Sequence, residues 1–222
     1  SDRHLATTLA MVMAMAQANA SFPLAALGLR LGPLLVFSLL GGLVAAATTY
    51  YVFARSLDSS EVPLDETLQH RVVSDTKGVL DTINHAGAEA FRISVGAIPM
   101  LVLSLVVVTA LSEVGAIDLL TRFLAPAMAA LNLNTALILP TLTKYLAGGT
   151  AMMGVMAEML RAGTASVELL NQSAGFLIQP LDIPGVAILI SAGRRVAAVW
   201  KPAALGAVVG ILVRTLGHAL LG

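Results

Sequence analysis

Two long apolar segments, each broken near its middle, constrain the fold of this chain more than any other feature. The first, residues 137–159, reads LILPTLTKYLAGGTAMMGVMAEM, and the second, residues 174–192, reads AGFLIQPLDIPGVAILISA. Each is long enough to enter a bilayer, yet Lys144 and Asp182 lie near the two centres. Charged side chains and broken backbone are tolerated at membrane depth only where they are buried in protein or line a wet cavity. The pair therefore predicts helix breaks inside a folded membrane domain.

The composition supports a membrane protein. Hydrophobic residues make up 57% of the 222 residues and charged residues 12%, with a mean hydropathy of +0.86. A soluble domain carries roughly twice that charged fraction. The apolar residues form continuous blocks rather than the alternating pattern of a transmembrane barrel. We therefore expect an all-α integral membrane protein. The zero net charge argues against a polybasic surface for nucleic acid or anionic lipid, so we expect no nucleic-acid partner.

The apolar blocks predict five to seven membrane segments in three regions. Residues 1–55 hold N-terminal membrane segments, residues 56–92 an amphipathic interfacial region, and residues 93–222 a membrane domain with both interrupted segments. Clean spans are expected over residues 32–53, 93–111 and 196–221, and an amphipathic helix over 117–131. A polar linker, residues 161–173, is expected to join the two interrupted segments. A solvated loop is the alternative for the interfacial region. The first twenty residues imitate a signal peptide, but we expect a retained membrane segment that is interrupted at residues 21–23.

Proline and glycine mark the expected breaks or hinges in the two segments: Pro140, Gly148, Gly149, Pro180, Pro184 and Gly185. The polar side chains nearby are candidates for binding a small polar solute: Lys144, Asp182, Gln179, Thr141, Thr143 and Thr150. Broken helices add unpaired N–H and C=O groups to such a site, and paired interrupted segments indicate the binding site of a transporter-like fold.

Each candidate also has a purely structural interpretation. Lys144 and Asp182 can form a buried ion pair that ties the two segments together, can contact a substrate or coupling ion, or can extend to a membrane interface. The threonines and Gln179 can simply satisfy backbone groups at the breaks. Signatures of catalysis are absent, with no G-x-S-x-G, H-E-x-x-H or P-loop, and the chain has no cysteine. We therefore expect no enzyme, no cofactor and no metal site.

Two features of the last span allow further predictions. Gly206 and Gly210 form a G-x-x-x-G pair, which is a known geometry for a subunit interface but also occurs by chance in a Gly- and Ala-rich chain. His218 has no second ligand-type residue at helical spacing, so we expect it to be interfacial and not a metal ligand.

The order of elements over residues 78–192 resembles a known family. An amphipathic helix (79–92) leads into IPMLVLSLVVVTAL, then VGAIDLLTRFLAPAMAALNL, then NTALILPTLTKYLAGGTAMMGV. The Leu124-Ala125-Pro126 tripeptide and the Gly148-Gly149 break are the most telling pieces. The pattern resembles the nucleoside recognition (gate) domain family, which includes bacterial spore maturation membrane proteins; a related domain occurs in concentrative nucleoside transporters and bacterial ferrous iron transporters. The resemblance implies a helical membrane domain with re-entrant hairpins that forms half of a transport pathway.

Together these features predict a multi-pass protein of a bacterial inner membrane. We expect a transporter or permease-like module for a small polar solute, either nucleoside-like or an anionic metabolite. Alternating access usually needs two repeats, and the chain has room for one, so we expect a homodimer or a partner subunit in the bilayer. A non-transporting scaffold or regulatory subunit with structural hairpins is the main alternative, and an intramembrane hydrolase is a third.

Overall fold

The computed structural model of the chain describes residues 1–57, 78–85, 87–88, 113–130, 134–191 and 193–221, with the positions 102, 106 and 109–111. Regular structure in these ranges is entirely helical. The helices are α1 (Asp2–Ala14), α2 (Ala18–Ala25), α3 (Leu31–Thr48), α4 (Ala116–Ala130), α5 (Ile138–Ala147), α6 (Gly149–Arg161), α7 (Val167–Leu177), α8 (Ile183–Ser191) and α9 (Arg194–Leu221). A π-helical turn, Thr49–Phe53, extends α3, a 3₁₀ turn, Thr135–Leu137, precedes α5, and residues 79–85 are helical.

Three stretches are long and apolar enough to cross a membrane: Asp2–Ala25, Leu31–Phe53 and Arg194–Leu221. This fits the expected helical membrane protein. The second and third agree with the predicted spans within two residues, and α4 agrees with the predicted amphipathic helix. The span expected over residues 93–111 and most of the interfacial region lie outside the described residues.

The first stretch is broken earlier than the sequence suggested. Met15 and Gln17 are extended, and the amide of Ala16 donates to Ser38 Oγ on α3 at 2.8 Å instead of continuing the helix. Pro23, where an interruption was expected, lies inside α2. The break is therefore stabilised by a hydroxyl on a neighbouring helix, which local sequence does not reveal.

The second interrupted segment begins earlier than expected. Residues 161–173 read as a polar linker, but α7 starts at Val167, because Ser166 Oγ accepts from the amide of Leu169 at 3.0 Å as an N-cap. Asn171 is buried and spans two elements: its Oδ1 accepts from the amide of Arg30 at 2.8 Å and its Nδ2 donates to the carbonyl of Gly28 at 3.1 Å. These polar residues stabilise a helix–loop contact and do not form a linker.

The helices pack around two apolar cores. The first core is formed mainly by α2, α6 and α7, with Leu29, Leu34 and Leu137. The second is formed by α1 and α9, with Ala45 and Ala54, and two residues of α8, Val186 and Leu189, pack against it. Consequently α1 and α2 are buried in different cores. Likewise α7 packs mainly in the first core and α8 packs against the second. The breaks that separate these helices lie where the two cores meet.

The G-x-x-x-G pair of α9 packs inside the chain. A Cβ on Gly210 would collide with the carbonyl oxygen of Gly41 and lie 2.8 Å from Cβ of Ala45, both on α3. A Cβ on Gly206 would collide with Thr49 Oγ1. The small residues therefore let α9 approach α3 closely. No hydrophobic effect drives helices together in lipid, so close van der Waals packing of this kind stabilises their association.

This packing predicts a position-specific cost for alanine. Gly210→Ala should destabilise the protein by about 1–3 kcal/mol, because backbone and not a flexible side chain occupies the space. Gly154→Ala on α6 is the matched control, since nothing lies within 4 Å of a Cβ there. Alanine at that helical position should be neutral or stabilising by up to about 1 kcal/mol. Thermal unfolding in detergent distinguishes the two, and equal effects would contradict the packing described.

Candidate functional site

The three helix breaks contact one another. The side chain of Gln17, at the α1–α2 break, occupies the space that a Cβ on Gly149 would take. Gly148, at the α5–α6 break, has a φ of +89°, and a Cβ there would lie 3.6 Å from Pro184 Cγ and 3.8 Å from Asp182 Oδ1 at the α7–α8 break. Positive φ favours glycine at position 148, and the close approach of Gln17 favours it at position 149. The breaks therefore form one cluster, the junction, defined by residues 15–19, 148–150 and 178–185.

A buried ion pair connects two of the three breaks. Lys144 Nζ donates to Asp182 Oδ2, and both side chains are almost completely buried. The other carboxylate oxygen, Oδ1, accepts from the amide of Gly185 at 2.7 Å and so caps the start of α8. Neither side chain extends to the surface, so the interfacial alternative is excluded. The pair neutralises both charges and holds the last turn of α5 against the first turn of α8.

Gln179 satisfies the backbone of the α7–α8 break. Its Oε1 accepts from the amide of Leu181, and its Nε2 donates to the carbonyl of Phe176 at 3.2 Å. The side chain is fully buried. One amide group therefore bonds to backbone on both sides of Pro180, whose ring has no N–H to donate.

The three candidate threonines differ in their surroundings. Thr150, in the first turn of α6, is exposed and its Oγ1 accepts from Asn19 Nδ2 at 3.1 Å, which connects α6 to α2. Thr141 is half-buried one turn before Lys144. Thr143 is 2% exposed, and its hydroxyl has no hydrogen-bond partner among the described residues. Only Thr150 both lies at the junction and is accessible.

The expected hinge residues fall into two groups. Gly148, Gly149 and Pro180 lie at the breaks themselves. Pro140, Pro184 and Gly185 lie in the first turns of α5 and α8. A proline in a first helical turn removes no intrahelical hydrogen bond, so these prolines start helices and do not interrupt them.

Arg214 is the important residue that the sequence analysis missed. It is fully buried on α9, and its Nη1 donates to the carbonyl of Ala14 at 2.6 Å while its Nη2 donates to the carbonyl of Ile178 at 3.0 Å. These carbonyls belong to the last residue of α1 and the residue that ends α7, where helix carbonyls lack intrahelical donors. One guanidinium thus holds two helix ends, and the partial negative charge of those ends stabilises it. An ionisable side chain in an apolar span was the available signal.

His218 corrects another prediction. It was expected at an interface but is 1% exposed, one turn beyond Arg214 on the same face of α9. Its Nδ1 lies 2.9 Å from the carbonyl oxygen of Asn171, so Nδ1 carries the proton and donates. The ring packs edge-on against Phe37, with centroids 5.1 Å apart. It contributes to the contact between α9, α7 and α3.

The junction combines a buried ion pair with helix starts that have no side-chain cap. Gln17 and Gly148, the N-caps of α2 and α6, make no side-chain capping hydrogen bond, whereas Asp182 caps α8. The first-turn N–H groups of α2 and α6 therefore lack capping side chains, and such groups favour anionic or hydrogen-bond-accepting ligands.

In the part of the chain that the structure describes, no group of three or more His, Cys, Asp or Glu side chains is placed to hold a metal ion. Comparisons of the chain with protein-family models, with curated proteins and with solved structures found no match.

Proposed function

We propose that this protein is a transporter or permease-like module that binds a small polar solute at the junction. The convergence of three helix breaks on one cluster carries the proposal. Breaks at membrane depth leave backbone groups that only protein or a wet cavity can satisfy, and discontinuous helices form the substrate sites of many transporters. Independent breaks in separate parts of a membrane protein would not need to meet.

The packing supports a re-entrant arrangement for the first interrupted segment. Leu137, just before α5, and Met152 and Met156 of α6 belong to the first core, whereas Gly148 lies at the junction. We interpret α5 and α6 as a hairpin that enters from the side of the first core and turns back at Gly148. We interpret α7 and α8 as one broken crossing helix, because they pack mainly against different cores.

The chemistry of the junction favours a solute with several hydrogen-bond acceptors, either nucleoside-like or anionic. Uncapped N–H groups at the starts of α2 and α6 are donors, and the exposed Asn19–Thr150 pair lies between these helices. The Lys144–Asp182 pair holds the closed arrangement of α5 and α8. Solute binding that weakens this pair would release α8 and open a path along the break.

The remaining parts of the proposal follow from chain size and resemblance. A single such unit needs a second one to move against, so we propose a homodimer or a partner membrane subunit. The resemblance to the gate-domain family favours a bacterial inner membrane. The Gly206–Gly210 pair is already used within the chain, so it does not provide the subunit contact.

A scaffold or regulatory subunit is the second candidate function. The observation that favours it is the saturation of the junction: Asp182 uses both oxygens and Gln179 both amide ends on contacts within the chain. A purely structural plug would show such contacts. Under this alternative no solute stabilises the protein.

A ligand screen with a variant at the accessible edge distinguishes the two functions. Purified protein in detergent is screened by thermal shift against nucleosides, nucleobases, organic anions and simple cations. A ligand present at 100 times its Kd should add about 2.7 kcal/mol of stability. Thr150→Val should abolish that shift while the protein stays folded, because the removed hydroxyl is exposed.

Thr164→Val, on the exposed loop between α6 and α7, is the matched control and should retain the full shift. A solute that passes this test is then assayed for uptake into proteoliposomes. Stabilisation that survives Thr150→Val would remove the junction from the proposal. Absence of any hit, together with absence of uptake, would favour the scaffold.

A further inference from the structure

One end of the helix bundle is strongly basic. Arg3 Nη2 donates to the carbonyl of Tyr50 at 2.8 Å, which places the start of α1 beside the π-helical turn after α3. Arg195 Nη2 lies 2.7 Å from Asp2 Oδ1, which adds the start of α9. We call this the basic end, and its charged residues among those that the structure describes are Asp2, Arg3, Arg55, Arg194, Arg195 and Lys201.

The opposite end is balanced. It contains the start of α3, the start of α7 and the loop after α6. Asn171 of α7 is hydrogen-bonded to Gly28 and Arg30 just before α3, and the loop after α6 leads directly into α7. Its charged residues in the described ranges are Arg30, Glu158, Arg161 and Glu168. Five cations against one anion at one end, and two against two at the other, is the asymmetry that sets membrane orientation, with the cation-rich end cytoplasmic.

Some of the basic side chains are already engaged. Arg3 contacts the carbonyl and the ring face of Tyr50, and Arg195 is paired with Asp2. Within the described part of the chain, no ion pair engages the exposed side chains of Arg194 and Lys201. These two therefore remain available to an anion from outside the protein.

The positions of these two side chains fit a lipid headgroup. Arg194 and Lys201 are seven residues apart, so they share one face of α9 two turns, or about 10 Å, apart. Lys201 lies within the apolar span, and helix side chains lean toward the N-terminus, so its ammonium reaches back toward Arg194. Tyr51, which is 70% exposed, is at the same end and marks an interfacial aromatic position.

We propose that Arg194 and Lys201 bind the phosphate of an anionic phospholipid, and that the basic end lies in the cytoplasmic leaflet. The inner leaflet carries the anionic surface that attracts such residues. The inference rests on membrane insertion and not on the proposed transport.

Trp200 provides the test of lipid binding. It is the only tryptophan of the chain and precedes Lys201, so its fluorescence reports on this end. The purified protein is reconstituted with brominated phosphatidylglycerol or brominated phosphatidylcholine at equal fractions. We expect brominated phosphatidylglycerol to quench Trp200 more strongly than brominated phosphatidylcholine, and we expect this preference to fall as the salt concentration is raised. Inorganic phosphate should not compete at millimolar concentration.

Arg194→Gln with Lys201→Gln should remove the lipid preference, which we expect to fall about 30-fold, or about fivefold for each cation. Arg30→Gln with Arg161→Gln is the matched control at the opposite end and should leave the preference unchanged. Equal quenching by both lipids in the unmodified protein would overturn the lipid site.

Orientation is tested separately, using the absence of cysteine from the chain. Ser56→Cys lies at the basic end and Thr164→Cys at the opposite end, and both positions are exposed. On intact bacterial spheroplasts a membrane-impermeant maleimide should label Cys at position 164 and reach position 56 only after permeabilisation. The reverse pattern would overturn the orientation. Neither result depends on any transported solute.

Discussion

Replacing Lys144 with methionine should destabilise the protein by about 3–5 kcal/mol. The substitution leaves the Asp182 carboxylate buried and without its counter-charge, and a lone buried charge costs more than the pair ever contributes. Asp182→Asn should cost a similar amount by leaving the ammonium unpaired, although asparagine keeps the oxygen that caps α8. Unfolding in detergent, followed by circular dichroism with increasing denaturing surfactant, measures both changes.

The double variant distinguishes pairing from two independent roles. Lys144→Met combined with Asp182→Asn removes both charges and keeps the cap, so it should recover at least half of the loss of either single variant. Recovery of stability without recovery of ligand binding would assign the pair to the proposed site as well as to the fold. Strictly additive losses would contradict the ion pair as the main interaction of these residues.

Replacing Arg214 with leucine should cost about 2–4 kcal/mol. The carbonyls of Ala14 and Ile178 each lose a charge-assisted donor, worth about 1.5–3 kcal/mol apiece, and the gain from no longer burying a charge offsets part of this. Arg214→Lys should cost less stability than Arg214→Leu but should still be destabilising, since one ammonium lacks the forked guanidinium that reaches two separated carbonyls. Arg161→Leu, an exposed cation, should change stability by less than about 0.5 kcal/mol.

A local measurement accompanies the global one for Arg214. Amide hydrogen exchange should rise in Arg214→Leu around residues 15–19 and 178–182, the two breaks that the guanidinium holds, before it rises in α3. Uniform loss of protection along all helices would mean that Arg214 only fills space in the bundle. The comparison therefore separates a role at the breaks from a general packing role.

The sequence predicted the features that depend on local composition. Apolar length alone located α3 and α9, because uninterrupted runs of this kind admit few other folds. The Gly148-Gly149 pair and the Gln179–Asp182 stretch located two of the three breaks, since positive φ and missing N–H groups are encoded residue by residue. The Lys144–Asp182 pair was one of the stated alternatives, and the structure contains it.

The sequence did not predict features that depend on distant partners. The break at Met15 to Gln17 is stabilised by Ser38 and Arg214, and neither residue is a neighbour in the chain. Likewise Asn171 looked like a linker residue because its contacts with Gly28 and Arg30 are about 140 positions away. Tertiary contacts decide such positions, and propensity carries no information about them.

The hydrogen bonds from Arg214 to the carbonyls of Ala14 and Ile178 also have a consequence for biosynthesis. The arginine that satisfies the carbonyl of Ala14 is translated 200 residues after it. Until α9 leaves the ribosome and enters the bilayer, the carbonyls of Ala14 and Ile178 lack this donor in lipid, where such groups are costly. Until then the early segments are only partly assembled, and the insertion machinery or water near the surface must supply donors to these carbonyls. A helix whose arginine is made 200 residues later is thus the one that allows the break after Ala14 to close.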